Sequence, residues 1–260
     1  MAGIYFHFPF CRQACHYCNF HFSTKLKYQQ EMLQAFDKEI QLRIREIPQQ
    51  LESIYFGGGS PSLIAPKSID KLIKTVKENF KFNDNIEITI EVNPDDVSFE
   101  YLQELSSEGI TRLSIGIQSF FDYELEMMNR VHNASQAVQT IEWTAKLFDN
   151  FSVDLIYGVP SSNLLTWQKN LNQALSFNIP HLSTYALTVE SKTILAHQLK
   201  NNEIQLLDDE GVKSQYDLMI GRLEEAGYEN YEFSNFSKPG FNSVNNSNYW
   251  MRKPYLGIGP

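Results

Sequence analysis

All three cysteines of the chain, Cys11, Cys15 and Cys18, lie in the stretch FCRQACHYCNF at residues 10–20, with the spacing C-x3-C-x2-C. Three thiols cannot pair off evenly. Metal ligation in a reducing, cytoplasmic setting therefore suits them better than a disulfide framework. Two donor sets fit the spacing. Structural zinc asks for four protein ligands, and His16 and His21 stand near enough in sequence to supply the fourth. Alternatively, three thiolates satisfy three irons of a [4Fe–4S] cube. Regular iron–sulfur proteins use four cysteines, so the open iron would wait for a small molecule.

The elements that must hold these thiols repeat along the chain. Runs rich in β-formers lie at 3–8, 53–57, 86–92, 112–118, 151–157 and 180–187. Between them, apolar residues three and four apart predict helices at 28–46, 68–79, 98–107, 134–149 and 164–177. Six strands alternating with five helices is a βα repeat, hence a parallel sheet or barrel. Each strand has one apolar phase and one small or polar phase, as in IEITIEVNP at 86–94. A fully packed parallel barrel would be apolar on both faces, so the polar phase suits an interior that holds a polar ligand. Glu91, Gln118 and Asp154 fall in that phase near the C-terminal strand ends, where such folds place their chemistry. The cysteines follow the first strand, on the same rim. The glycines of YFGGGSPS, Gly57, Gly58 and Gly59, permit close backbone approach after the second strand. After residue 190 the pattern changes to one helix near 208–226 and a less regular tail. We read 1–190 as one domain and 191–260 as a C-terminal α/β extension, which resemblance to a family with a longer tail implies is incomplete.

Composition narrows the class. The 260 residues carry a formal net charge of -9, with a pI near 5.2, which argues against a nucleic-acid binder. No run reaches the ~18 apolar residues of a membrane span, which leaves at most peripheral membrane association. The opening MAGIYFHFPF lacks the charged n-region of a signal peptide.

The cysteine spacing, with the aromatic Tyr17 before the last thiol, resembles the radical S-adenosylmethionine (radical SAM) superfamily. That resemblance implies a [4Fe–4S] cluster on Cys11, Cys15 and Cys18, with the amino and carboxylate groups of S-adenosylmethionine on the open iron. One electron then cleaves the sulfonium to a 5′-deoxyadenosyl radical. YFHFPFC, IEVNP, SIGIQSF, MNRVH, VDLIYGVP and HLSTYALTVE, in this order, resemble the oxygen-independent coproporphyrinogen III oxidase-like branch. They imply a partial (β/α)6 barrel with the cluster at its mouth. Carried over by position, Tyr5 and Tyr17 lie beside the cluster and its cofactor, and Gly57, Gly58, Gly59 and Ser60 line the methionine end. Glu91 accepts from the amine or the ribose. Gln118, Arg130 and Asp154 contact this ligand or a second one, and Ala186 shapes the adenine side.

Two functions compete within the branch. The oxidases resemble C-x3-C-x-F-C-G-C, whereas Phe20 stands where their fourth cysteine would be. The wording CHYCNFHF is similar to the HemW haem-chaperone group, which implies haem binding and transfer to recipient respiratory haem proteins. The oxidative decarboxylation of coproporphyrinogen III is the alternative. In that group a tail motif H-N-x-x-Y-W is associated with haem. The present chain has NNSNYW at 245–250, with Asn245 in the histidine's place. A carboxamide is a poor axial ligand beside an imidazole.

Overall fold

The computed structural model describes residues 2–160 and 162–260. The chain is an α/β fold with a mostly parallel sheet. It divides into two compact units. The first comprises the chain through Arg12, Phe20–Ser114 and Ser243–Pro260, and the second Gln13–Asn19 and Ile115–Asn242.

The first unit begins with β1 (Ala2–Phe8), α1 (Gln29–Arg43), β2 (Leu51–Gly58), α2 (Pro66–Asn79), β3 (Phe82–Val92) and α3 (Phe99–Ser107). It also holds the first residues of β4 (Arg112–Gln118). The second unit takes the rest of β4, then α4 (Asp122–Met127), α5 (Ala134–Leu147), β5 (Phe151–Tyr157), α6 (Leu164–Ser176) and β6 (His181–Ala186). After these come α7 (Ile194–Lys200), α8 (Asp209–Glu225), β7 (Glu229–Asn230) and β8 (Asn235–Ser237). The last elements, α9 (Val244–Trp250) and β9 (Tyr255–Ile258), return to the first unit.

In the first unit β9, β1, β2 and β3 lie side by side, all parallel. Their register sorts residues into two layers. Ile4, Ile54 and Ile88 form one apolar row, and Phe6, Phe56 and Ile90 the next, all buried. Phe6 stacks on Phe56 at 4.7 Å, and Phe36 of α1 tilts against Phe6 at 5.8 Å. The opposite phase carries Gly3, Ser53 and Glu87 in one row and Tyr5, Tyr55 and Thr89 in the next. Most of these small or polar side chains are buried. The period-2 alternation thus separates a helix-covered apolar face from a polar one. α2 starts at Pro66, a residue pre-set for the first helical position.

In the second unit β6 pairs parallel with β5 on one side and antiparallel with β8 on the other, and β7 pairs antiparallel with β8. Capping boxes at Asn133/Gln136 and Asn163/Thr166 fix the starts of α5 and α6. The buried Trp167 of α6 donates its indole N–H to the Gln215 carbonyl of α8 at 3.0 Å.

All six expected strands and all six expected helices form. The 28–46 helix ends as an α-helix at Arg43 and tightens to a 3-10 turn over Ile44–Glu46. The tail is more ordered than its sequence suggests: α7, α9, β7, β8 and β9 all lie there, and α4 is also new. These elements have two to seven residues, too few to show a period. β9 moreover exists only through its partner β1, some 250 positions earlier. Among the described residues no helix is long and apolar enough to cross a membrane.

Candidate cofactor site

In the first unit the glycine loop is clasped to the chain leading into Cys11. The backbone N–H groups of Gly59 and Ser60 donate to the carbonyls of Phe8 and Phe10, both at 2.7 Å. On the other flank Cys11 N–H donates to Ser23 O at 3.1 Å, and Ser23 N–H to Pro9 O at 2.6 Å. Two glycines are obligatory. Gly58 has φ +113°, a region L residues rarely adopt. At Gly59 a Cβ would stand 2.6 Å from the Phe10 carbonyl oxygen and 2.9 Å from Cys11 Sγ.

Beside this loop Glu91 accepts from the Tyr55 hydroxyl at 2.9 Å and from Gly58 N–H at 3.1 Å. Tyr5 stacks on Tyr55 with ring centroids 5.8 Å apart. Burial, then the charge of Glu91, raises the Tyr5 phenol well above its ordinary range, so it stays protonated. Ser60 Oγ accepts from Asn93 Nδ2 at 2.8 Å. Asp96, its carboxylate almost wholly buried, accepts from Ser62 Oγ at 2.9 Å and pairs with Arg12, the residue after Cys11. The strand-end segment 93–96 therefore ties the serines of the glycine loop to the cysteine loop.

The same unit contains a half-open cleft of about 270 Å³ between β1 and α9. Tyr5 and Ser53 line it from the sheet, and Asn245, Tyr249, Trp250 and Tyr255 from the tail. The Glu87 carboxylate holds α9 in place by accepting from the N–H groups of Val244 and Asn245 at 3.0 and 3.1 Å.

In the second unit Gln13–Asn19 is sewn to the turn after α4. His16 N–H donates to Met128 O at 3.1 Å, and Asn129 Nδ2 to Ala14 O at 2.7 Å. Gln13 Nε2 donates to Asn129 O at 2.9 Å. Asn129 itself has φ +58°, a conformation asparagine tolerates. Cys18 N–H closes a turn onto Cys15 O at 3.2 Å. Arg130 reaches Cys15 Sγ with Nη1 at 3.4 Å and donates Nη2–H to Gly116 O at 2.8 Å. Tyr17 packs on the cluster of Leu125, Met128, Ile156 and Val159. Burial raises its phenol well above the ordinary range, opposed by the Arg130 charge and reinforced by Cys15 and Cys18. Gln118 ends β4 with φ +69°, a strained conformation for a residue other than glycine or asparagine. The next residue, Ser119, donates to the buried Glu124 carboxylate, which also accepts from Asn170 Nδ2 at 3.0 Å.

The structure thus brings Tyr5, Gly57, Gly58, Gly59, Ser60, Glu91 and Cys11 together in one unit. In the other it joins Cys15, Tyr17, Cys18 and Arg130. Asp154 sits half-buried on β5 and Ala186 exposed at the end of β6, on paired strands. Arg12, Asn93, Asp96 and Asn129 escape sequence reasoning. Their partners lie 33 to 116 positions away, and no local pattern announces them. The strain at Gln118 likewise has no sequence signal.

The residues fit an iron–sulfur cluster with a bound amino acid-like ligand. None of the three cysteines is in a disulfide. The loop against Cys11 is one that a single Cβ would fill. Among the described residues no three His, Cys, Asp or Glu side chains already group to hold a single metal ion.

Comparison with known proteins agrees with this chemistry. Residues 5–174 match the model of the Radical SAM superfamily. The haem chaperone HemW of Haemophilus influenzae is 38% identical over 267 residues, covering 99% of this chain and 68% of the relative. That of Bacillus subtilis is 34% identical, covering all of this chain and 69% of the relative. A mitochondrial radical S-adenosyl methionine domain-containing protein 1 from Danio rerio is 34% identical, and the chain spans 59% of its length. Among solved structures, Escherichia coli coproporphyrinogen III oxidase (HemN), a radical SAM enzyme, superposes with a TM-score of 0.85 at 24% identity. That match covers 99% of this chain and 63% of the other, and shows a shared fold.

Proposed function

We propose that this chain, which belongs to the radical SAM superfamily and within it to the family of the haem chaperone HemW, binds haem and passes it to haem-dependent respiratory proteins in the cytoplasm. Family membership carries with it a [4Fe–4S] cluster and S-adenosylmethionine, and when bound these supply one-electron chemistry. Cys11, Cys15 and Cys18 are the cluster ligands. Tyr5, Gly57, Gly58, Gly59, Ser60 and Glu91 receive the amino-acid end and ribose of S-adenosylmethionine, while Tyr17, Gln118, Arg130, Asp154 and Ala186 complete its surroundings. The radical SAM domain runs to residue 190, and 191–260 opens the C-terminal region.

The observation that carries the cofactor assignment is the close approach of Gly59 to Cys11, where an added Cβ would stand 2.9 Å from Sγ, because it gives the glycine loop and the first thiol one shared wall. Each residue's part follows from its surroundings. The Glu91 carboxylate, already oriented by Tyr55 and Gly58, meets a cation. Tyr5, held protonated, donates a hydrogen bond and does not compete as an anion. Arg130 places its Nη1 3.4 Å from the Cys15 sulfur and so helps fix where that ligand stands.

Coproporphyrinogen III oxidation is the second reading, favoured by the structural likeness to HemN. Phe20, 70% exposed where the oxidase pattern has its fourth cysteine, speaks for the chaperone. Anaerobic reconstitution with iron and sulfide, followed separately by haemin and by coproporphyrinogen III, decides between them. A stable Soret shift with no decarboxylation is expected. Turnover to the divinyl product with 5′-deoxyadenosine would establish the oxidase instead. Cys15→Ala should abolish the brown cluster absorbance. Iron and sulfide content equal to the parent's would overturn the ligand assignment.

A further inference from the structure

The cleft between β1 and α9 offers aromatic surface and amides but no imidazole or sulfur ligand for iron. Tyr5, Tyr249, Trp250 and Tyr255 supply its rings, and Trp250 stands edge-on to Tyr249 at 5.9 Å. Tyr249, Trp250 and Tyr255 are 63%, 51% and 57% exposed, so their apolar faces continue outside the cleft. At about 270 Å³ the cleft is smaller than the ~300–1,000 Å³ that enclose a whole drug-sized molecule. It can take one edge of a large flat ring while the rest lies on the exposed aromatics. On its floor the Ser53 hydroxyl is buried and makes no hydrogen bond. Gly3 packs closely over it: a Cβ there would stand 2.8 Å from Oγ.

No histidine, cysteine or methionine is among the described residues that line the cleft. His7, two positions beyond Tyr5, is engaged at both ring nitrogens: Nδ1 faces the Tyr5 hydroxyl at 3.4 Å and Nε2 the His21 carbonyl at 3.0 Å. The Lys253 amine is ion-paired with Glu52 at 2.8 Å. Asn245 lines the cleft where an imidazole would be needed.

We propose that this cleft grips a tetrapyrrole by its conjugated ring and not by its iron, so that metal-free porphyrin is as good a ligand as haem. The proposal rests on the haem-handling reading above and specifies what that site recognises. Haem bound in this way would leave its iron open to a ligand from a recipient protein.

The test titrates the whole chain with haemin and with metal-free protoporphyrin IX, followed by tryptophan fluorescence and by absorbance. Affinities within about threefold of each other are expected. Trp250→Leu, checked for folding by circular dichroism, should weaken both ligands by a similar factor. Tyr249→Leu serves the same purpose if that variant does not fold. Asn245→His should tighten haemin at least tenfold with a low-spin Soret shift, and leave protoporphyrin unchanged. Haemin binding more than tenfold tighter than protoporphyrin in the unaltered chain would overturn the proposal. So would a tyrosinate charge-transfer band lost in Tyr249→Phe or Tyr255→Phe, or no response of either ligand to substitutions in the cleft. Binding of neither ligand would instead remove the haem-handling reading itself.

Discussion

Gly59→Val should leave a folded chain that takes up less than a tenth of the iron and sulfide of its parent. The first atom that a side chain adds at this position falls 2.6 Å from a backbone oxygen, that of Phe10, and 2.9 Å from Cys11 Sγ. A flexible side chain could swing away, but the Phe10 carbonyl cannot, because it already accepts from Ser60 N–H. The strain must therefore be relieved by moving the loop away from Cys11. Overpacking of this kind costs about 1–3 kcal/mol, which the apolar rows of the first unit can absorb. Iron per chain, absorbance of the reconstituted cluster and far-ultraviolet circular dichroism together read the result. Gly221→Ala is the control: it lies in α8 with open space around it and no positive φ. There the change should be neutral or slightly stabilising. Full iron content in Gly59→Val would mean that the glycine loop has no part in holding the first thiol.

The second large effect is expected at Glu91. Glu91→Gln keeps the shape, and the Tyr55 hydroxyl can turn to accept from the new amide, so the cluster should assemble as in the parent. What is lost is the negative charge beside the glycine loop. Hydrogen bonds to charged groups contribute roughly 1.5–3 kcal/mol. S-adenosylmethionine should therefore bind about 10- to 150-fold more weakly by equilibrium dialysis of the anaerobically reconstituted protein. Unchanged affinity with a normal cluster would show that Glu91 only braces Tyr55 and Gly58.

The βα repeat is legible in the sequence because strands such as IEITIEV advertise both faces, and because helices of nine residues or more show their period. The cysteine spacing and the glycine run are legible because their chemistry needs few residue types at short range. What holds them is not. Asp96 meets Arg12 across 84 positions, and Asn129 meets Gln13 across 116. Nothing near Asn129 in sequence indicates that it adopts a left-handed conformation to serve the loop. The tail fails for a related reason. α9 has a local N-cap in Ser243, but its first N–H groups are received by Glu87, from a strand more than 150 positions earlier.

The bonds on either side of Cys11, from Gly59 and Ser60 to Phe8 and Phe10 and between Cys11, Ser23 and Pro9, belong to the main chain alone. None of them involves a thiol. Small zinc domains gain their fold from the ion and lose it to chelators, whereas this segment has a scaffold of its own. Stripping and refilling the cofactor is then reversible loading rather than a cycle of unfolding, and the Gly59 and Ser60 amides should exchange slowly with deuterium even in the empty protein.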